Sequence, residues 1–275
     1  MIISWNVNGF FGDKHYKDYK PTDKMSDEDK KHLKEEADKK QADIFDSIKK
    51  TIQNFIESGS LLILHELPHK GYDIYDSFRD FFKDEFIDNL YPSQAFIETV
   101  AICQKNTYVR CFDDLIEMEF DSYKNRVICL CKKSEKSNPT EVIIGVHSPT
   151  QKSITFWNSL ILTHQHIVKK YPECRIIYIG DMNVNLDKPN EVNTKKMAEE
   201  FMSEGLVDLW LKSGKSQKEA TFNANTRIDY ALITEKDADK YEITANHDIR
   251  TKYMLSDHSA IILKERTPEM KKTGD

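Results

Sequence analysis

The sequence has 275 residues, a formal net charge of −6 at pH 7 and 39% hydrophobic residues. This length suits a single α/β domain with an ample core. The negative charge disfavours strong non-specific binding to nucleic acid, which depends on lysine and arginine neutralising phosphates. It does not exclude such a substrate, because a bound divalent cation or a local basic strip supplies positive charge that a residue count omits.

The apolar runs and the cysteines indicate the cellular compartment in which the protein is expected. No run is long enough to cross a membrane, and the first residues lack the basic region and long apolar stretch of a signal peptide. The five cysteines are an odd number, and Cys129-Leu-Cys131 lacks the second pair that a zinc site needs. We therefore expect a cytoplasmic protein without a disulfide framework.

The N-terminal part of the chain predicts a strand, a loop and a helical region. Residues 1–8 form a short apolar run that ends in two asparagines, which is typical of a strand. Residues 10–25 show no period, and Ser26 followed by Asp29 then resembles a capping box before a charged helical stretch. Apolar residues at helical spacing next predict an amphipathic helix that ends near Gly59: Ile44, Phe45, Ile48, Ile52, Phe55 and Ile56.

Beyond this helix, short apolar runs alternate with helical patterns, which favours the α/β class. We expect further strands at 61–66, 99–103, 111–119, 126–132, 141–147, 176–179 and 227–234, with a last apolar run that ends at 263. We expect helices at 77–90, 154–171 and 194–204.

Six of the apolar runs carry, at one end, polar side chains suited to phosphate or metal chemistry. These side chains are Asn6, Glu66, His147, Asp181 with Asn183, Asp229, and Asp257 with His258. One such run means little, but six in one chain indicate a shared site.

The run at 175–185, RIIYIGDMNVN, is the most informative of the six. Its apolar residues are typical of a strand buried on both faces, and Gly180 then breaks the strand. Asp181 and Asn183 stand one residue apart and share a side if the chain stays extended. Such a pair can accept a proton from a water and hold that water. The alternative is an ordinary strand end closed by an Asx turn.

The motifs SWNVNG, LHE, HSP, GDMN, RIDY and SDH, in this order from Ser4 to His258, resemble the endonuclease/exonuclease/phosphatase superfamily. The resemblance covers essentially the whole chain. It implies a four-layer α/β sandwich, with two mixed β-sheets packed face to face and helices outside. We expect a single domain over 1–264, with a charged helical insert at about 11–40, and a charged tail over 265–275.

The resemblance also implies a metal site. It makes Glu66 the principal ligand of Mg²⁺, assisted by Asn6 and Asp257, and Mn²⁺ is an alternative ion. Mg²⁺ favours few carboxylates and keeps several waters, which suits this set. Asn6 is also expected to contact the substrate phosphate, and Arg227 is a candidate for a second phosphate contact.

The resemblance assigns the reaction to five residues. Asp181 accepts the proton of the attacking water while Asn183 holds that water. Asp229 orients His258, since a buried aspartate fixes the tautomer of a paired histidine. His147 either donates a proton to the leaving alkoxide or binds a phosphoryl oxygen. Glu98 resembles a glutamate that orients the catalytic histidine in pancreatic-type deoxyribonuclease, although an exposed acid at a strand start explains it as well.

These assignments predict a Mg²⁺-dependent phosphodiesterase that cleaves nucleic acid by in-line attack of water, with DNA favoured over RNA. Relatives dedicated to abasic sites carry a tyrosine at the HSP position, so His147 disfavours that subclass. One alternative is a phosphatase or phosphodiesterase of a small ester, such as an inositol phosphate, a nucleotide or a lipid headgroup. A catalytically silent binding module is the alternative from another class, but the principal residues are intact. The insert is either a solvated helix or a substrate-binding element.

Overall fold

The described strands form two mixed sheets of six strands each. The computed structural model describes residues 1–13, 21–68, 73–89, 98–113, 116, 121–150, 154–187 and 192–267. The first sheet has the strand order β11-β12-β1-β2-β4-β3 and the second has the order β5-β6-β7-β8-β10-β9. In each sheet, one parallel pair lies among antiparallel neighbours: β1 with β2, and β7 with β8.

The strands of the first sheet are β1 (Ile2–Asn6), β2 (Leu61–Leu67), β3 (Phe86–Ile87), β4 (Glu98–Ile102), β11 (Tyr241–Asn246) and β12 (Ala260–Glu265). Those of the second are β5 (Tyr108–Arg110), β6 (Val127–Lys132), β7 (Glu141–His147), β8 (Arg175–Asp181), β9 (Leu206–Asp208) and β10 (Asp229–Thr234). The helices are α1 (Asp27–Glu57), α2 (Asp73–Phe81), α3 (Asp121–Lys124), α4 (Ile154–Lys170), α5 (Val192–Ser203), α6 (Leu209–Lys212) and α7 (Asp248–Thr251).

Alternation along the strands sorts the apolar side chains into layers, because successive residues of a strand point to opposite faces. Ile177 and Ile179 of β8 pack with Leu61 and Ile63 of β2 between the two sheets. The intervening Tyr178 packs with α4 and α5 on the outer face of the second sheet. The outer face of the first sheet is covered by α1 and α2. The predicted four-layer sandwich is thus confirmed.

Helix α1 is one continuous helix of 31 residues. Its N-cap is Ser26, whose side chain accepts a hydrogen bond from the Asp29 backbone N–H, as the capping pattern predicts. The helix contacts the core only through its second half, where Ile44, Ile48 and Ile52 are buried. Residues 27–40 of the predicted insert are therefore the solvated first half of this helix, while 14–20 lie outside the described residues.

Two predicted elements differ from the described structure. The helix expected at 77–90 is wrong: it ends at Phe81, because Phe86 and Ile87 pair with β4 as strand β3. In the strand expected at 111–119, the described residues 111–113 and 116 are not part of a strand, and β5 lies just before them and pairs with β6. Residues 114, 115 and 117–120 lie outside the described residues, as do residues 268–275 of the predicted tail. No helix within the described ranges combines the length and apolar character that crossing a membrane requires.

Gly145 of β7 tests how closely the two sheets pack. A Cβ atom at this position would lie 3.0 Å from Ile128 Cγ2 and closer still to Ile63 Cγ2 of the facing sheet. We expect Gly145→Ala to lower the free energy of unfolding by about 1–3 kcal/mol through overpacking. Urea unfolding measures the change.

The matched control is the same substitution in an Ile63→Ala background, which removes the closer of the two contacts and leaves Ile128 Cγ2 at 3.0 Å. Gly145→Ala should then cost less than in the wild-type protein, so the two substitutions should be non-additive. Additive free energies would contradict this account of the sheet interface.

Candidate active site

Three predicted site residues lie in one row across the second sheet. Asp181, the last residue of β8, is the register partner of His147 at the end of β7. It is also the partner of Asp229 at the start of β10. All three side chains are buried. Strand pairing alone therefore brings together residues that are far apart in the sequence.

The first sheet contributes Asn6 and Glu66 to the same site. Asn6 ends β1 and donates a hydrogen bond from Nδ2 to Asp181 Oδ2 at 3.0 Å, which links the two sheets. Its side chain also hydrogen-bonds Glu66. Glu66 lies where the pairing of β2 with β4 is irregular, and it has a positive φ of 55°. Such a conformation is costly for a residue with a side chain, and strain of this kind is common at functional sites.

The Asp181–Asn183 pair adopts an Asx turn. Asp181 Oδ1 accepts a hydrogen bond from the Asn183 backbone N–H at 2.9 Å, and Asn183 has a φ of 48°. The Asn183 amide donates to the Ser148 carbonyl at 2.7 Å. The Asx turn expected as the alternative therefore forms. It also fixes the direction of the Asp181 carboxylate within the row.

His258 lies between two carboxylates. Its Nδ1 atom is 3.0 Å from Asp229 Oδ2, and its Nε2 atom is 3.7 Å from Asp181 Oδ2. Ser256 holds this segment in place, since its hydroxyl donates to the Asn6 carbonyl and accepts from the His258 backbone N–H. The ring of Phe222 lies 4.7 Å from the imidazole, centroid to centroid. The structure thus pairs Asp229 with His258 as the resemblance implies.

Burial and mutual charge set the protonation of this cluster. Burial lowers the pKa of His258, but Asp229 and Asp181 outweigh it and raise that pKa to about 10. Burial raises the pKa of Asp181 to about 6 against the opposing effect of His258. Burial also raises the pKa of Glu66, but His147, His258 and Asn6 lower it to about 2. At neutral pH, Glu66 is a carboxylate and His258 an imidazolium.

The oxygen-rich end of this cluster fits a divalent cation. Asp257 Oδ1 is buried and has no hydrogen-bond partner among the described residues. Burial raises the pKa of Asp257 to about 7 against the opposing effect of His258, and the charge of Glu66 acts in the same direction as burial. A carboxylate oxygen of Glu66 and one of Asp181 lie within 4.8 Å of each other. Carboxylate oxygens are hard ligands that suit Mg²⁺ or Mn²⁺.

Arg227 does not reach this cluster through its guanidinium. The residue is only 2% exposed and forms a buried ion pair with Asp208, with Nη1 at 3.3 Å from Oδ1. It also donates to Gln217 and stacks over the Tyr230 ring at 4.2 Å. The Arg227 guanidinium is therefore occupied by contacts within the core, and the geometry gives no support to the predicted phosphate contact.

The structure adds Arg126, which the sequence did not single out. Arg126 Nη1 lies 3.3 Å from His147 Nδ1. Glu98 is buried at the start of β4 opposite Leu67, so the interpretation of an exposed acid is wrong, and its orienting role stays a prediction. Arg126 stands just before β6, the strand that pairs with β7. This position predicts a contact with His147 only once the strand order is known.

His65, to which the sequence assigned no role, lies beneath the site. Its Nε2 atom is 2.9 Å from Ser4 Oγ and its Nδ1 atom is 3.2 Å from Thr99 Oγ1. Burial holds its pKa well below the usual value, with His147 acting in the same direction. We interpret His65 as a neutral residue that supports the floor of the site.

Solved structures with the same fold include an endonuclease and a phosphatase bound to DNA. An AP endonuclease from Archaeoglobus fulgidus is 13% identical over 97% of this chain and 99% of its own, with a TM-score of 0.61. A 3′ phosphatase from Neisseria, bound to a product DNA hairpin, is 12% identical over 97% and 99%, with a TM-score of 0.59. An endonuclease/exonuclease/phosphatase from Beutenbergia cavernae is 14% identical over 95% of this chain and 70% of its own, with a TM-score of 0.51.

Sequence comparison gives no such match: no family model and no curated protein matches the chain. At these low identities, the structural likeness concerns the fold, and it confirms the fold that the resemblance implies.

The burial of Arg227 gives a stability prediction. Arg227→Met should lower the free energy of unfolding by about 3–5 kcal/mol, because it leaves the Asp208 carboxylate buried without its partner. Urea unfolding measures this change. If Arg227 instead contacts substrate, the variant will keep its stability and show a raised KM.

The raised pKa of Asp257 gives a second prediction, on the metal-free protein. A carboxylate whose pKa is raised to about 7 in the folded state contributes stability below its unfolded pKa and loses it as the pH rises to about 7. Asp257→Asn should therefore raise the melting temperature in chelator at pH 8 and leave it nearly unchanged at pH 4.

The same variant tests the metal ligand. Mn²⁺ should raise the melting temperature of the wild-type protein at pH 8, because a ligand that binds only the folded state stabilises it. Asp257→Asn should abolish most of that rise. An equal rise in both proteins would remove Asp257 from the ligand set.

Proposed function

Because the chain has the fold of the endonuclease/exonuclease/phosphatase superfamily, we propose that it is a metal-dependent phosphodiesterase that hydrolyses DNA. The observation that carries this proposal is the row of His147, Asp181 and Asp229 facing Asn6 and Glu66 across the ends of two sheets. A hydrolase for phosphate esters needs a base for water, a cation for the phosphoryl oxygens and fixed hydrogen-bond donors. This cluster offers carboxylates suited to act as the base and to hold a cation, together with amide and imidazole donors.

Asp181 is the proposed base. Its pKa of about 6 leaves it ionised at neutral pH, yet high enough to accept a proton from an attacking water. The Asn6 amide and the Asn183 backbone N–H hold the carboxylate in one orientation. Asn183 lies beside the same carboxylate and is the residue we expect to position the water.

His258 is the proposed stabiliser of the transition state. Asp229 holds its imidazole from one side, which leaves Nε2–H directed towards Asp181. As an imidazolium, it donates a charged hydrogen bond to a phosphoryl oxygen that gains negative charge. His147 approaches the same region from β7.

Glu66, Asn6 and Asp257 would hold the divalent cation. When bound, Mg²⁺ or Mn²⁺ neutralises a phosphoryl oxygen and stabilises the leaving oxygen. Glu66 is suited to this role because its pKa of about 2 keeps it ionised at every working pH.

DNA is the proposed substrate class because the AP endonuclease and the hairpin-bound phosphatase named above are DNA-processing proteins with this fold. RNA is the less favoured polynucleotide. The net charge of −6 favours the second candidate, a small phosphate ester, because a small substrate needs no extended basic surface. The same site chemistry would serve either substrate.

Asp181→Asn tests the catalytic assignment. We expect the rate with Mg²⁺ or Mn²⁺ to fall by at least about 100-fold, because the amide cannot accept the proton of the water. Hydrolysis is measured on supercoiled plasmid, single-stranded DNA, an abasic duplex, RNA and a panel of small phosphate esters, each with a chelator control. Circular dichroism confirms that the variant is folded.

Asp239→Asn is the matched control, since Asp239 is exposed and follows the far end of β10. It should keep wild-type activity. Metal-dependent cleavage of DNA that is lost only in Asp181→Asn supports a nuclease. Turnover of small esters alone would support the phosphatase instead. No turnover of any substrate would favour a binding module that keeps the fold.

A further inference from the structure

We propose that Arg126 is a positioning residue for His147. Its guanidinium holds the imidazole as the tautomer with the proton on Nε2, and thereby directs that N–H into the site. This inference rests on the proposed function, because it gives His147 one definite role in the same reaction.

Strand register places the two residues side by side. Val127 of β6 is the register partner of Val146 of β7, so Arg126 lies opposite His147 at the next position. The His147 backbone N–H donates to the Arg126 carbonyl at 2.8 Å, which extends the ladder to this pair. Residues directly opposite in an antiparallel pair have neighbouring side chains on one face of the sheet.

The guanidinium reaches the imidazole from this position. Arg126 Nη1 lies 3.3 Å from His147 Nδ1 and 3.3 Å from the His147 carbonyl oxygen. Two contacts from one nitrogen to the same residue restrict both the backbone and the ring of His147. Arg126 is half-buried, whereas His147 is almost fully buried.

The donor chemistry of arginine decides the tautomer. A guanidinium carries N–H donors and no acceptor, so His147 Nδ1 must accept its hydrogen bond. A neutral imidazole that accepts at Nδ1 carries its proton on Nε2. That Nε2 atom lies 3.2 Å from Glu66 Oε1 and 4.0 Å from Asp181 Oδ2. The ring therefore presents an N–H donor to the region between the proposed metal ligand and the proposed base.

This arrangement separates the two roles that the sequence left open for His147. A histidine fixed as an Nε2–H donor is suited to bind a phosphoryl oxygen. It is not arranged as His258 is, whose Nδ1 faces the carboxylate of Asp229. The Nδ1 atoms of the two histidines thus contact groups of opposite charge: the Arg126 guanidinium for His147 and the Asp229 carboxylate for His258.

The tautomer can be measured without any assay of activity. In the full-length protein, two-bond ¹H–¹⁵N correlations of the imidazole rings distinguish Nε2–H from Nδ1–H, and His147→Gln identifies the signals of His147. We expect the wild-type ring to show the Nε2–H pattern. Arg126→Met should give a mixture of the two tautomers, while Arg126→Lys, which keeps a cationic donor, should retain the wild-type pattern.

Arg110→Met is the matched control. Arg110 lies in the same sheet on β5, and its guanidinium donates to the Asp88 carbonyl instead of to a histidine. This variant should leave the His147 pattern unchanged. An Nδ1–H pattern in the wild-type protein, or a pattern that Arg126→Met does not alter, would overturn the inference.

Kinetics then show whether Arg126 acts through His147. We expect Arg126→Met to lower kcat by about 10-fold with little change in KM, as is typical when a partner that orients a site residue is lost. In a His147→Gln background, the same substitution should have no further effect. If it still lowers the rate there, or raises KM alone, then Arg126 contacts substrate directly and the positioning role is wrong.

The two proposals fail in different ways. If the wild-type protein hydrolyses no phosphate ester, the proposed function fails, while the imidazole spectra still decide whether Arg126 fixes the tautomer. If the protein is active and the spectra do not respond to Arg126→Met, the inference about Arg126 alone fails.

Discussion

The site depends on the burial of several carboxylates at one end of the sandwich. Glu66, Asp181, Asp229 and Asp257 meet where the two sheets converge, and all but Glu66 are buried. Burying like charges together is unfavourable unless cations balance them. His258 supplies one positive charge, which explains its pKa of about 10. Burial nevertheless raises the pKa of Asp181 to about 6 and that of Asp257 to about 7, against the opposing effect of His258. A divalent cation among these carboxylates would lower both pKa values, because a nearby positive charge favours the ionised form.

Strand register is what makes this cluster possible. Asp181 has His147 on one side and Asp229 on the other because β8 pairs with both β7 and β10 at its last residue. The Asn6 amide then joins this row to the first sheet. A slip of one residue in any of these pairings would turn the side chain to the opposite face. The dense apolar layer between the sheets, which includes the close approach at Gly145, therefore fixes the geometry of the site as well as the fold.

The sequence predicted the elements whose signals are local. Buried strands such as β8 carry continuous apolar runs, and α1 carries both its cap and its apolar spacing, so their positions could be predicted. Strand β3 could not be predicted, because two residues have no period of their own and depend on pairing with β4. The run of phenylalanines around it resembled a helix, but Phe81 is exposed and ends that helix.

The site residues also divide into those that a local sequence pattern predicts and those that depend on strand pairing. The six motifs identified the residues that the structure brings together, because each stands at the end of a strand with a strong local pattern. The sequence could not show that Arg227 forms an ion pair with Asp208, nor that Arg126 contacts His147. Both contacts depend on which strands are neighbours. An arginine has the same appearance in a sequence whether it binds a phosphate, balances a buried acid or orients a histidine.

The distribution of arginines bears on how an acidic chain would bind a phosphodiester. Arg227 is paired with Asp208, and Arg175 is paired with Glu141 and Glu265, so neither guanidinium offers its charge to a substrate. Within the described part of the site, His258 is an imidazolium and Arg126 brings a guanidinium to its edge. Arg250 adds a third positive group close to Asp229 and Asp257. For the proposed reaction, this places positive charge at the reacting group, which is the arrangement that favours binding of the transition state over the remainder of the substrate.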